Sequence, residues 1–186
     1  MCQQIDSLNK IKKFDIKEVT LNNFENKMFV DTLICKNKLL VNKKKFKNLY
    51  LEVPANDSII EYKLNNLKAL DILEDKNISN TFSLLETNIK PKENYLFESF
   101  QHIILSNLFS NNLIDFGSTH MENLGELYWV KVHTNIDEIE LYDLQIMFKD
   151  SCKHNLFLIN ISSTNEKQLE KTICKYYPIM KSIKAN

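Results

Sequence analysis

The chain has no arginine: its 24 basic residues are all lysines, and 24 acidic residues cancel them. Lysine lacks the planar fork that guanine, phosphate and carboxylate groups favour, so base reading and phosphoryl transfer become poor candidates. The balanced charge also removes the broad positive field of a non-specific nucleic-acid binder, and no nucleic-acid partner is expected. Lysine, asparagine and isoleucine are abundant together, a pattern that coding bias explains better than selection. Glycine is scarce as well. With two in all, Gly117 and Gly125, the chain cannot build a backbone cradle for phosphate, and it has no GxGxxG, Walker, GxSxG or HExxH motif. No apolar run approaches the roughly 20 residues of a membrane span, and the first residues do not read as a signal peptide. No CxxC pair occurs. The four cysteines, Cys2, Cys35, Cys152 and Cys174, stand far apart, which argues against zinc and thioredoxin-type sites and predicts reduced, inert thiols in a cytoplasmic protein. Neither a cofactor nor a metal is expected.

What is present suffices for one folded domain. At 186 residues and 44% hydrophobic, the chain can bury a core without a metal or disulfide staple. The opening "MCQQIDSLNKIKK" supports an alternative to the cytoplasmic placement. A cysteine after the initiator, followed by a polar tether, is how a mature lipoprotein starts once its signal peptide is gone, so lipidation of Cys2 would give a membrane-anchored envelope protein. Ile5, Leu8, Ile11 and Phe14, spaced every three, suggest a short amphipathic helix.

Residues 27–36 and 37–42 read as strands, "KKK" at 43–45 as a charged turn, and 46–54 as a half-buried strand ended by Pro54. "SIIEYKL" and "KALDIL" are short apolar runs of strand or turn, and 77–89 reads as a strand. Leu96, Phe97, Phe100, Ile103, Ile104 and Leu108 fall on one helical face. Strands at 112–121, 125–134, 138–150 and 153–163 follow as an antiparallel meander with a turn at Asn123-Leu124-Gly125. Thr164 or Asn165 caps a last helix with the stripe Leu169, Ile173, Tyr176, Met180, Ile183, which Pro178 should bend or split near Tyr177. The fold class is therefore α+β: a twisted antiparallel sheet of about six or more strands packed against a central and a C-terminal helix.

This order, with "LYLEVP" closing a first core strand, "GELYWVKV" after a tight turn and a last helix ending on "KSIK", resembles the PsbP-like superfamily, which includes DcrB-type proteins. The resemblance covers about residues 46–184. It implies a PsbP-like α/β sandwich domain over 46–186, preceded by an arm (1–45) that adds one or two strands. It also implies an accessory or binding role without catalysis, such as a chaperone or adaptor of a bacterial envelope or secretion system.

Residues that could carry chemistry are few. His120 and His133 flank the meander's first turn. With that turn centred on Leu124-Gly125, His120 falls opposite Trp129 and His133 lies too far away to share a metal. Cys152 and His154 sit two apart at a turn beside Lys153. They are the residues on which a small thiol-dependent enzyme would be built, but they lack an orienting third group. Asp137, Glu138, Glu140 and Asp143 cluster without the oxygen-rich loop of a calcium site. The lysines at 43–45 and Lys47 could meet anionic lipid or an acidic partner, or simply form a solvated hairpin tip. On strand 126–134, Tyr128, Val130 and Val132 share the face taken as core. Trp129, Lys131 and His133 share the other, where Trp129 is either a protein-binding anchor or buried beneath a second helix. The expected function is a non-catalytic protein-binding module using that face.

Overall fold

The computed structural model describes residues 25–35, 40–74, 77–87, 95–110, 112–151 and 155–185. Strands β1 (Asn42–Phe46), β2 (Leu49–Val53), β3 (Asp57–Leu64), β4 (Leu67–Glu74) and β5 (Asn77–Glu86) lead to helix α1 (Tyr95–Phe109). The meander β6 (Leu113–Met121), β7 (Gly125–Ile136), β8 (Ile139–Lys149) and β9 (Leu156–Ser163) is followed by helix α2 (Glu166–Ser182) and the short β10 (Lys184–Ala185). One sheet has the order β3-β4-β5-β9-β8-β7-β6 and the other β1-β2-β10. Every strand pair is antiparallel. The chain is thus α+β, with a central and a C-terminal helix against an antiparallel sheet.

Period-2 alternation sorts the large sheet's side chains onto two faces, and each face carries a helix. On one, Tyr128, Val130 and Val132 of β7 pack with Phe100 and Ile104 of α1, flanked by Leu96, Phe97 and Ile103. On the other, a row of directly paired residues, Trp129, Ile146, Ile159, Leu84 and Leu70, runs across five strands. All five are essentially inaccessible. They share a core with Leu169, Ile173, Tyr176, Ile179 and Met180 of α2. That helix also packs against β2, whose Leu49, Leu51 and Val53 close the same core. Each such aliphatic side chain contributes about 1.5–3 kcal/mol, so α2 is held from both sides.

This explains Pro178. The helix runs from Glu166 to Ser182 through it and is not split near Tyr177. The missing N–H costs one hydrogen bond, while Tyr176, Ile179 and Met180 around it are fully buried. Asn165 caps the start, its side chain accepting from Lys167 N and Gln168 N. Asn123, from the β6–β7 turn, donates to the carbonyls of Met180 and Ile183, each at 2.8 Å, and so satisfies the helix's exposed end.

Two hairpins use left-handed pairs in place of glycine. Asn65 and Asn66 (φ 47° and 68°) join β3 to β4, and Asp137 and Glu138 (φ 49° and 68°) join β7 to β8, the geometry of two-residue type I′ turns.

Several expectations for the first half need correction. Residues 43–45 are not a turn but the middle of β1, and 46–54 is broken at Lys47-Asn48, where Lys47 has φ 57°. Residues 27–35 do not form a strand. A single bridge at Asn26 is followed by a 3-10 turn, Thr32–Ile34, capped by Asp31. The expected helix near 1–14, and Cys2 with it, lies outside the described residues, as do 36–39. Cys35 and Cys174 are not free thiols. They form a disulfide across a sequence separation of 139, a pairing that sequence spacing alone does not reveal.

Candidate functional site

Trp129 is 1% exposed, which selects the buried reading over the surface anchor. The N-terminal segment covers it. Lys27 N donates to Ser118 O at 2.9 Å and Ser118 N to Glu25 O at 3.0 Å, so this segment lies along the outer edge of β6. From there the Lys27 carbonyl accepts the indole N–H at 3.0 Å, and Phe29 meets the ring edge-on at 6.3 Å. The Lys27 ammonium sits 5.5 Å from the indole centroid and 2.7 Å from Asp115 Oδ1. Gly117 makes this approach possible: a Cβ there would lie 2.9 Å from Trp129 Cζ2 and 3.0 Å from the Glu25 carbonyl. Gly117, not His120, stands opposite Trp129, and His120 pairs with Glu126. The turn is centred on Asn123 rather than on Leu124-Gly125: Met121 pairs with Gly125, with Leu124 N bonded to Met121 O and Gly125 at φ +77°.

Lys131 and His133 continue the Trp129 face and are half-buried. Burial lowers the Lys131 pKa, opposed by Glu170 and Asp115 nearby. His133 stacks on Tyr142 at 4.4 Å, with its Nε2 buried and unpartnered among the described residues. His120 and His133 are not brought together. Among the described residues no three His, Cys, Asp or Glu side chains gather as metal ligands. Of the acidic cluster, Asp137, Glu138 and Glu140 are exposed, while Asp143 is buried. Burial raises the Asp143 pKa, and hydrogen bonds to Ser162 and Asn160 partly offset this. Glu140 and Asp143 differ by an odd number along β8 and so point to opposite faces. They cannot act as an acid–base pair. Cys152 and His154 lie outside the described residues.

One surface went unassigned in the sequence. Strand β3 ends the large sheet, with β4 as its one strand neighbour among the described residues. Ile60, Tyr62 and Leu64 alternate along one face at 48%, 39% and 49% exposure, with the Tyr62 hydroxyl on Asp71 Oδ1 at 3.2 Å. Asn65-Asn66 closes a turn in which the Leu64 and Leu67 backbones bond. Alternation then places the backbone groups of Tyr62 and Ile60 toward β4 and those of Ile59, Glu61 and Lys63 toward solvent. The signal was available: period-2 apolar residues before an Asn-Asn pair.

No family model matches the chain, and no curated protein matches it. Solved structures of similar shape include a protein from Bacteroides thetaiotaomicron (7% identity, TM-score 0.49, 75% of this chain against 45% of that one). This chain thus spans less than half of that protein's length. Others are PA94 of Pseudomonas aeruginosa, a protein of unknown function (12%, TM-score 0.40, 76% and 94%), and LpqN of Mycobacterium tuberculosis, involved in cell envelope biogenesis (12%, TM-score 0.44, 73% and 82%). These are fold-level likenesses and carry no function to this chain.

Proposed function

We propose that the chain is a non-catalytic accessory module that takes up an extended protein segment as an added strand along β3. The observation that carries this is the edge itself, unpaired among the described residues: outward backbone groups at Ile59, Glu61 and Lys63 beside an exposed apolar stripe. Main-chain bonds give affinity in such strand addition, and alternate side chains give selectivity. Burial of Trp129 moves the proposed contact away from Trp129, Lys131 and His133. The Cys35–Cys174 disulfide favours an oxidising compartment, so we place this action outside the cytoplasm, in a chaperone or adaptor role at the cell envelope. The PsbP-like reading of residues 46–184 is of a piece with an accessory role.

The test is a photoreactive residue substituted at Tyr62, exposed to native lysate, with and without Lys63→Pro. Proline on an edge strand is tolerated where its N–H faced solvent, so Lys63→Pro blocks strand addition and leaves the β3–β4 ladder intact. A discrete cross-linked partner lost in Lys63→Pro, at unchanged circular dichroism, is the expected result. An adduct of equal strength in both proteins, or none in either, would end the proposal.

A further inference from the structure

The fold gathers lysines that are distant in sequence onto one face. Alternation along β1 turns Lys44 inward, where it meets Glu61 at 2.5 Å, and turns Lys43 and Lys45 outward. Lys45, Tyr50 and Lys184 are directly paired across β1, β2 and β10, and Lys43 stands opposite Glu52. Lys181, from the last turn of α2, joins them. A cleft of about 620 Å³ opens here, lined by Lys43, Tyr50, Glu52, Lys181, Ser182 and Lys184. A second, of about 690 Å³, continues round Lys181 and Lys184 to His120, Tyr177 and Met28. Among the described residues Lys43, Lys45, Lys181 and Lys184 have no carboxylate in ion-pair range, whereas Lys44, Lys47 and Lys175 each have one and Lys27 has two. At the centre Tyr50 is 38% exposed, with the Lys45 ammonium 5.5 Å from its ring.

We propose that this outward face of the three-stranded sheet rests on an anionic lipid surface. In a chain of zero formal net charge, it sets four lysines without an ion pair and an exposed tyrosine against two carboxylates, Glu52 and, in the adjoining cleft, Glu122. Flexible lysines around an aromatic ring suit a headgroup layer, where the stems lie along apolar surface and the ammonium groups reach phosphate. Protein interfaces, by contrast, are depleted in lysine and favour the arginine fork. Lys43 and Lys45 point away from the Lys44–Glu61 ion pair that joins β1 to β3, and different residues test the two contacts.

Flotation with phosphatidylcholine vesicles, and with vesicles containing phosphatidylglycerol, tests the proposal on the full chain. Wild type should bind the anionic vesicles, release at high salt and ignore the neutral ones. A triple variant, Lys45→Gln, Lys181→Gln and Lys184→Gln, should bind about 100-fold more weakly, at about fivefold per lysine. A control of equal charge, Lys63→Gln, Lys68→Gln and Lys149→Gln, should bind as wild type does. Equal loss in both triple variants, equal binding to neutral vesicles, no binding at all, or binding to polyglutamate but not to anionic vesicles would each overturn it.

Discussion

Asp143 is buried, burial raises its pKa, and this has a consequence for stability. Desolvation penalises its charged form more than Ser162 and Asn160 support it, so the folded chain favours the protonated acid. That contribution is full below the ordinary carboxylate pKa and is lost as pH rises through the raised folded value. Asp143→Asn, neutral throughout, should lack this loss. Urea unfolding midpoints of wild type and variant should diverge in the variant's favour as pH rises across the carboxylate range and run parallel above it. A difference that stays constant from acid to neutral pH would show that the group ionises freely. At this scale the sequence was half legible. Alternation placed Trp129 opposite the valine face correctly, but no local pattern says whether a second layer covers it. The layer comes from Lys27 and Phe29, about 100 residues earlier, and Gly117 clears the space for it.

At the scale of elements, residues 25–35 act as a strap closed at both ends. Backbone bonds to Ser118 hold one end, and the Cys35–Cys174 disulfide ties the other to α2. A bridge across 139 residues removes much loop freedom from the unfolded chain, about 2–5 kcal/mol in practice. The double variant Cys35→Ser, Cys174→Ser should lose stability in that range, measured against oxidised wild type in urea. Its Trp129 fluorescence should become more accessible to acrylamide as the strap loosens. Loss of stability without added quenching would mean that the hydrogen bonds at Lys27 and Ser118 hold the strap unaided. The meander and both helices were readable because their periodicities are local and strong. The lysines of β1 were not, since three consecutive charges look like a turn until β2 supplies a partner strand and Glu61 an inward ion pair.

For the molecule as a whole, the large sheet leaves its two edges in different states. The strap pairs with β6, covering one. The other, β3, is eight residues long and has no strand beyond it among the described residues, and it carries an apolar stripe that would invite edge-to-edge association. What stands against that is charge: Glu61 and Lys63 lie in the second half of the strand, where their outward backbone groups would meet another chain. Both are exposed, and unlike Phe82 or Ile161 they lie outside the core, Glu61 holding only the half-exposed ion pair to Lys44. Replacing both with valine should keep the strand, since valine suits it, while removing the guard. The expected outcome is an average mass by light scattering that climbs with concentration in Glu61→Val, Lys63→Val and stays flat in wild type, with unfolding midpoints changed by less than about 1 kcal/mol. A double variant that stays monomeric over the same range would show that these two charges do not guard the edge. An edge guarded by charge is also what uptake of a chosen segment requires: the same pair that repels casual partners would select a strand bearing the complementary order of charges.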